Sequence, residues 1–326
     1  MTDGSAEPDA ARVVDGRADR PTASVIIPTF NRLNDLRRVL AAVQRQRDGA
    51  TGEVQLVVVD DGSTDGTAEW LKIQRSRGDV MALSQPNAGP AAARNRGAAI
   101  ATGEILLFLG DDTEPVDGWL LGHLEEHRLF GSQGEPVAVV GYSGFPDDHD
   151  TPFCRFINEF GAQFGYALIE DPGLVPFNFF YTSNVSIPRR IFTELGGFRE
   201  DFAAAAWEDI EFAYRATKLG LRLRYQPRAR TVHHHRIQPR TFCRRQRTSG
   251  RAGAVFAGLH PELEEFLGAH RARAARRPSG VRRELLHALV ALGEHVPGIV
   301  PSSVYQRYLD QAYLEGLADG LHTTGA

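Results

Sequence analysis

The sequence predicts an α/β protein with a mostly parallel β-sheet flanked by helices, followed by a helical C-terminal extension. Short apolar runs alternate four times with helix-like segments within about 90 residues, which is the pattern of strands joined by crossover helices. The runs are nearly continuous in apolar residues, as in strands that are buried on both faces. Beyond residue 236 only helical patterns remain.

The first part of the chain supplies these strands and helices in alternation. The four predicted strands open the segments SVIIPTFNR, EVQLVVVDDGSTDG, VMALSQ and EILLFLGDD. The three predicted helices lie in NDLRRVLAAVQRQ, TAEWLKIQRSRG and NAGPAAARNRGAAIATGE. The first helix has Leu36, Val39, Leu40 and Val43 on one face. The third begins near Pro90, a residue that favours the first turn of a helix.

The pattern changes after residue 115. Four further strands are predicted in PVAVVGYSG, NVSIP, LRLRYQ and ARTVHHHR, and two helices in PRRIFTELGGF and WEDIEFAYRATKLG. The aromatic-rich segment 153–181 has no assignable period. The sequence therefore predicts a disordered N-terminal tail (residues 1–20), an α/β domain (21–235) and a helical, arginine-rich C-terminal extension (236–326).

The composition is that of a soluble globular protein, with 42% hydrophobic and 24% charged residues. A net charge of -4 argues against a general nucleic-acid binder. Cys154 and Cys243 match neither a disulfide framework nor a zinc-site spacing, which fits a reducing cytosol. Residues 1–20 lack the apolar run of a secretory signal, and no apolar stretch reaches the roughly 20 residues that span a bilayer. We therefore expect a cytoplasmic protein, at most peripheral at the inner face of the cell membrane.

Polar clusters follow three of the predicted strands, at residues 29–31, 60–63 and 110–112. Because open parallel sheets bind ligands at the carboxyl ends of their strands, these clusters should share one edge of the sheet. Carboxylates at such an edge suit a divalent cation that bridges to phosphate, or hydrogen bonds to a ribose. Asp112 would hold the cation while Asp111 contacts the ribose. The alternative is a turn in which either carboxylate caps the next segment.

Seven motifs in a fixed order carry a family resemblance. They are SVIIPTFNR, VVVDDGSTDGT, NAGPAAARNRG, GEILLFLGDD, GGF, WEDIEFAYR and VHHH, and they are spread over residues 24–235. Each motif alone is weakly specific, but their order resembles that of the family 2 glycosyltransferases, which have the GT-A fold. The resemblance implies a nucleotide-diphosphate sugar donor, with uracil as the expected base and thymine or guanine left open.

The resemblance also implies a donor site. Its residues would be Pro28, Thr29, Phe30, Asp60, Asp61, Arg94, Asp111 and Asn184. The first three would line the pocket for the base, and either aspartate after the second strand would contact the base or ribose. Arg94 would face the nucleotide from the third helix, the alternative being a solvated helix face. Asn184 would face the donor or the acceptor.

The family's metal motif is usually Asp-x-Asp, and this chain departs from it because Gly110 stands at the first position. Asp112 stands at the last position, which implies that it binds Mn²⁺ or Mg²⁺. In several relatives a histidine completes the metal site, and His233 of the VHHH segment matches best. Alternation along a strand places His233 and His235 on one face and His234 on the other.

An inverting sugar transfer needs a base that removes the proton of the acceptor hydroxyl. The resemblance assigns this role to Asp209, with Glu208 in support. The alternative is structural: acidic residues in the first turn of a helix interact favourably with the helix macrodipole. Glu211 fits that structural role better, since Arg215 lies four residues further on. The acceptor would be a hydroxyl of a glycan, a lipid-linked sugar or a small molecule.

Two other functions stay open at the level of sequence. A metal-dependent nucleotidyltransferase would use the paired aspartates and a cation, but would not need Glu208 and Asp209. A non-catalytic scaffold would bind a nucleotide sugar without turnover.

The C-terminal extension has two arginine blocks without acids, six arginines in residues 236–251 and six in 266–283. Such blocks bind a diphosphate, a lipid phosphate or an anionic membrane surface, or else form a solvated helix face. The segment VRRELLHALVALGEHV is amphipathic enough to dock on the α/β domain or on a second subunit, so a homodimer is a further expectation.

Overall fold

The computed structural model describes residues 23–48, 53–131, 133–202, 206–275, 280–296 and 298–324. The predicted N-terminal tail lies outside the described residues. The strands are β1 Ala23–Thr29, β2 Val54–Asp60, β3 Met81–Ser84, β4 Ile105–Leu109, β5 Thr113–Pro115, β6 Val137–Gly144, β7 Asn184–Pro188 and β8 Arg222–His233. The helices of the first 235 residues are α1 Leu33–Asp48, α2 Thr67–Ser76, α3 Pro90–Ile100, α4 Trp119–Gly131, α5 Pro152–Glu159, α6 Arg189–Glu194 and α7 Glu208–Lys218. Those of the extension are α8 Pro239–Leu259, α9 Glu264–Leu267, α10 Ala269–Ala274, α11 Gly280–His295 and α12 Ser302–Thr324.

The strands form one mixed sheet in the order β3-β2-β1-β4-β7-β6-β8-β5. β3, β2, β1 and β4 run parallel to one another, as their alternation with helices predicted. β7 is antiparallel to β4 and β6, β8 is parallel to β6, and the short β5 is antiparallel to β8. β1 and β2 end in register, with Thr29 beside Asp60. The polar residues that follow β1, β2 and β4 therefore share one edge of the sheet.

Alternation along the strands divides the core between the two faces of the sheet. Val25 and Ile27 pack with the predicted apolar face of α1, with Leu71 of α2 and with Trp119 of α4. Ile26 points to the opposite face, where α3, α6 and α7 cover the sheet. Helices on both sides explain why these strands are apolar at nearly every position.

Four elements differ from the sequence prediction. α4, α5 and the short β5 have no counterpart in it, and the two strands predicted in LRLRYQ and ARTVHHHR are one strand, β8. β6 pairs with β8 along the whole length of β6, but the register shifts so that Gly141 lies opposite Gln226 and Tyr142 opposite Arg230. Pro227 lies within this bulge, where a residue without an N–H is tolerated.

The helices of the extension pack against the α/β domain. Phe242, Tyr305 and Tyr308 share an apolar cluster with Phe153 of α5. A second cluster joins Phe256 and other residues of α8 and α9 to the start of α7. None of the helices in the described part of the chain is long and apolar enough to cross a membrane.

α8 and α12 approach each other closely at glycines. A Cβ added at Gly250 would overlap the carbonyl oxygen of Tyr313, and one added at Gly316 would overlap that of Arg247. Because the overlapped atoms belong to the backbone, a side chain at either glycine could be accommodated only if the two helices moved apart.

Gly250→Ala is therefore expected to lower the free energy of unfolding by about 1–3 kcal/mol or more. Gly258→Ala is the matched control in the same helix, because a Cβ there meets nothing within 4 Å. It should raise stability by about 0.5–1 kcal/mol, since alanine is the better helix former. Urea denaturation of both variants checks this, and equal effects would contradict the close packing.

Candidate active site

A cavity of about 1120 Å³ lies at the edge where β1, β2 and β4 end. Residues of α3, α7, the segment 160–168 and the C-terminal extension also line it. The predicted site residues that line it are Pro28, Thr29, Phe30, Asp61, Arg94, Asp111, Asp112, Glu208, Asp209 and His233. Asp60 and Asn184 are not among its lining residues. The fold thus brings ten residues from six separate parts of the chain into one space.

The pairing of β5 with β8 brings Asp112 next to His233. Thr113 lies opposite His233 in the ladder, and the backbone N–H of His234 donates to the carbonyl of Asp112 at 2.8 Å. The imidazole Nε2 of His233 lies 3.4 Å from Asp112 Oδ1. His235 stacks beside His233, whereas His234 turns away and its Nε2 lies 2.8 Å from Glu114 Oε2. The alternation predicted for the three histidines is confirmed.

Asp111 and Asp112 are both buried, but their surroundings push their pKa values apart. Burial opposes ionisation of Asp112, yet the neighbouring His233 and the guanidinium of Arg32 outweigh it and hold the pKa of Asp112 well below its usual range. Burial, and then the charge of Asp112, raises the pKa of Asp111 to about 7. The Thr29 hydroxyl donates to Asp111 Oδ2 at 2.8 Å. Asp112 is therefore the carboxylate that stays ionised.

Asp112 and His233 place one carboxylate and one imidazole side by side, a donor set that suits a divalent cation. Among the described residues, no group of three or more histidines, cysteines, aspartates or glutamates is arranged to hold a metal ion. Mn²⁺ and Mg²⁺ commonly take few protein ligands and complete their shell with phosphate oxygens and water. The two side chains fit a cation that is bound jointly by the protein and a phosphate ligand.

Asp60 and Asp61 organise the turns at the other end of the cavity. Asp61 accepts hydrogen bonds from the N–H groups of Ala88 and Gly89, at 2.9 and 2.8 Å, which fixes the loop before α3. Asp60 accepts from the N–H of Ser63 at 3.0 Å and closes the turn after β2. Phe30 leaves 45% of its surface exposed at the cavity. Its ring offers a flat apolar surface in the cavity that Asp61 also lines.

Asn184 was predicted to face a ligand, but it lies beneath the sheet edge and is only 1% exposed. Its Oδ1 accepts from Trp119 Nε1 at 2.8 Å and lies 2.9 Å from His123 Nε2. Its Nδ2 donates to the carbonyls of Ala229 and Tyr142, at 2.8 and 3.2 Å. With its amide fully engaged by protein groups, Asn184 links α4 to β6 and β8 and does not contact the cavity.

Trp207 sets the direction in which α7 starts. It has a left-handed backbone with φ of 74°, which costs energy for a residue other than glycine. The indole N–H donates to the carbonyl of Ser249 at 2.9 Å, and the ring packs against Phe256 and Tyr313. The extension therefore holds the turn that delivers Glu208 and Asp209 to the cavity.

Glu208 and Asp209 lie side by side in different hydrogen-bond settings. Glu208 is 4% exposed, and its Oε1 lies 3.0 Å from Arg94 Nη1. Within the described part of the chain, Glu208 Oε2 and Arg94 Nε are buried without a hydrogen-bond partner. Asp209 Oδ2 accepts from the N–H and the hydroxyl of Thr182, both at 3.3 Å. Arg94 thus pairs with Glu208, and Asp209 is the carboxylate left facing the cavity without a cationic partner of its own.

Burial raises the pKa of both carboxyl groups, and the charge of Asp209 raises that of Glu208 further. A raised pKa means that the folded chain binds more protons than the unfolded chain above about pH 4.5, the ordinary value for glutamate. The contribution of these two carboxyl groups to the free energy of unfolding should therefore fall as the pH rises from about 4.5 towards neutrality.

Denaturation from pH 5 to 8 measures this dependence. Glu208→Gln removes one of the two titrating groups, so the free energy of unfolding of wild type relative to Glu208→Gln should fall over this pH range. The difference between wild type and Asp201→Asn, which changes an exposed carboxylate outside the cavity, should stay constant. An identical slope in wild type and Glu208→Gln would contradict the assignment.

The cavity residues that were not assigned from sequence include Arg32, Gln163, His235 and Arg245. Arg32 is the last residue of the first motif. Its position at the end of a strand that lies next to two strands followed by aspartates could have indicated that it lines the site. Gln163 carries no local signal, whereas Arg245 belongs to the first arginine block, in which no pattern distinguishes it from its neighbours.

Two solved structures share this fold. A mannosyltransferase, PcManGT from Pyrobaculum calidifontis in complex with GDP-Man and Mn²⁺, aligns with a TM-score of 0.57 and 21% identity over 93% of this chain and 87% of its own. S. aureus TarS 1–349 in complex with UDP aligns with a TM-score of 0.52 and 17% identity over 94% of this chain and 92% of its own. The fold is therefore that of the GT-A glycosyltransferases.

Residues 24–177 match the model of glycosyl transferase family 2, so the chain carries a glycosyltransferase domain of this family. The pre-mycofactocin glycosyltransferase of Mycobacterium tuberculosis is 30% identical over 245 residues, which cover 73% of this chain and 48% of that relative. The validoxylamine A glucosyltransferase of Streptomyces hygroscopicus is 31% identical over 228 residues, covering 62% and 52%. The chain spans about half the length of these curated relatives.

Proposed function

We propose that the chain is a metal-dependent, inverting glycosyltransferase that moves a sugar from a nucleotide-diphosphate donor to a hydroxyl acceptor. The observation that carries the proposal is that Asp112 with His233, the Phe30 surface and Asp209 line the same cavity. A cation site, a surface for a base and a candidate catalytic base are the three parts that such a transfer needs.

The donor would lie along the carboxyl edge of the sheet. Its base would rest against Pro28 and Phe30, within reach of Asp61, and UDP is the first nucleotide to test. Asp111, with a pKa near neutrality, suits a hydrogen bond to the ribose in either protonation state. Asp112 and His233 would hold Mn²⁺ or Mg²⁺, and that cation would neutralise the diphosphate as it leaves.

Asp209 would act as the base. Its carboxylate takes the proton of the acceptor hydroxyl while the hydroxyl oxygen bonds to the anomeric carbon and the bond to the diphosphate breaks. Attack from the face opposite the leaving group inverts the anomeric centre. Glu208 would act indirectly, because it holds Arg94 at 3.0 Å and adds a second negative charge beside the base.

The acceptor would bind beyond Asp209, against the extension. Phe160, Leu168 and Phe266 line the cavity with 50, 51 and 46% of their surface exposed. Trp207 and Tyr313 line the same region. Exposed apolar side chains gathered in one cavity favour an acceptor with an apolar face.

Titration of the protein with UDP, GDP and dTDP, each with and without Mn²⁺, tests the proposal. One diphosphate should bind with a cation-dependent rise in Tm, and the matching nucleotide sugar should be hydrolysed slowly to free sugar and nucleoside diphosphate. Binding of no diphosphate would overturn the proposal. Release of pyrophosphate from a nucleoside triphosphate would instead indicate a nucleotidyltransferase, and binding without any turnover a scaffold.

A further inference from the structure

The arginines of α8 were expected either to bind anions or to form a solvated helix face, and three of them lie at or near the surface in ion pairs. Arg240 lies 3.3 Å from a carboxylate oxygen of Glu284. Arg247 and Arg251 lie 2.8 and 3.6 Å from Asp319 Oδ2. These pairs join α8 to α11 and α12. They pair three of the six arginines of the block with carboxylates inside the extension.

Arg245 differs from these three arginines. It lines the cavity and its side chain is exposed there. Its contacts among the described residues are neutral: Nη1 lies 3.4 Å from Gln163 Oε1, and the guanidinium lies 5.8 Å from the centre of the Phe242 ring. No carboxylate of the described chain forms an ion pair with it within 4.0 Å. A guanidinium kept free of carboxylates inside a binding cavity is available to an anionic ligand.

A chain of contacts places Arg245 at the metal end of the cavity. Gln163 Oε1 faces Arg245, and Gln163 Nε2 lies 3.4 Å from His233 Nδ1. The other ring nitrogen of His233 faces Asp112. Arg32, the other guanidinium in this region, is already engaged by Asp111 and Asp112. Within the described part of the chain, Arg245 is therefore a cation next to the proposed metal ligands that forms no ion pair.

The charge balance of the donor favours such a group, because Arg32 is offset by Asp111. A divalent cation that is bound by Asp112 retains one net positive charge. The diphosphate of a nucleotide sugar carries two negative charges, and a third develops as the sugar departs. A guanidinium can supply the missing charge and can bind two phosphate oxygens at once.

We infer that Arg245 of the C-terminal extension binds the diphosphate of the donor, so that the extension completes the donor site. This inference rests on the proposed function. It assigns to one arginine of the first block the anion-binding role that the sequence left open for the whole block.

Arg245→Gln and Arg245→Lys test the inference, with Arg244→Gln as the matched control. Arg244 is the preceding residue of α8 but is exposed outside the cavity, where its guanidinium lies 3.3 Å from the Thr241 hydroxyl. Calorimetric titration with UDP and with UMP, both with Mn²⁺, gives two affinities whose ratio measures the contribution of the second phosphate. If the titration under Proposed function selects GDP or dTDP, that diphosphate and its monophosphate are used instead. Arg245→Gln should weaken binding of the diphosphate by about 10- to 100-fold and that of the monophosphate much less. Arg245→Lys should recover part of the loss, and Arg244→Gln should match wild type.

The outcomes separate the inference from the proposed function. If wild type binds the diphosphate and Arg245→Gln binds it equally well, the inference fails and the proposed function stands. An equal loss for monophosphate and diphosphate would also overturn it, because that indicates a structural role. If wild type binds no nucleoside diphosphate, the proposed function itself fails.

Discussion

Asp209→Asn is expected to lower the rate of sugar transfer by about 10²- to 10⁴-fold, the usual contribution of a positioned general base. Asparagine has nearly the same shape and retains an oxygen that can accept from Thr182, so the start of α7 should persist. The affinity for the nucleoside diphosphate should stay within a few-fold of wild type, because the proposed donor contacts lie elsewhere. Steady-state kinetics together with diphosphate titration measures both quantities.

Asp201→Asn is the matched control for this prediction. It makes the same chemical change at an exposed carboxylate that pairs with Arg199 and does not line the cavity. Transfer should proceed at the wild-type rate. If Asp209→Asn keeps its Tm and transfers sugar as fast as wild type, Asp209 is not the base.

Asp112→Asn is expected to weaken Mn²⁺ binding and to lower the transfer rate on the order of 10²- to 10³-fold. The amide lacks the charge that holds a divalent cation, and the cation supplies several kcal/mol of stabilisation to a leaving diphosphate. Electron paramagnetic resonance of free Mn²⁺ measures the affinity independently of turnover. The fall in Mn²⁺ affinity should be accompanied by a lower affinity for the diphosphate.

His234→Asn is the control for the metal site. His234 is adjacent to His233 in sequence, but its imidazole contacts Glu114 and does not line the cavity. Its affinity for Mn²⁺ should equal that of wild type, while His233→Asn should weaken Mn²⁺ binding. Equal affinities in wild type and Asp112→Asn would contradict the assignment of the ligand.

The polar residues at the carboxyl edge of the sheet could be predicted from sequence, because short local segments of sequence indicate where each strand ends. Each strand end is a short apolar run followed at once by polar residues, and parallel strands bring those ends together. The role of Glu211 was equally local: its carboxylate lies 2.8 Å from Arg215, four residues further on, as the helical spacing predicted.

Sequence did not predict α4, because the residues that it buries are determined by tertiary packing. α4 buries His123 and His127 and exposes Leu121 and Leu129, so its hydrophobic pattern does not mark its buried face. The polar buried face satisfies the hydrogen bonds of Asn184 and Ser186, which only the assembled sheet brings within reach.

The ion pairing of the site residues also depends on the tertiary structure. Arg94 was expected to face the nucleotide, and in the structure its guanidinium pairs with Glu208. Sequence could not predict this pair, because 114 residues separate the two side chains. Likewise, no pattern in the extension distinguishes Arg245 from the neighbouring arginines. The difference appears only in the folded chain, where α11 and α12 supply carboxylates to Arg240, Arg247 and Arg251 and where Arg245 lies at the cavity.

A crystal structure with Mn²⁺ and the nucleoside diphosphate that binds tests the central claim most directly. We predict an anomalous difference peak for manganese between Asp112 and His233, in contact with the diphosphate, with the base against Phe30 and Asp209 facing the far side of the β-phosphate. A nucleotide bound outside this cavity, or a diphosphate in it without manganese at Asp112, would contradict the claim.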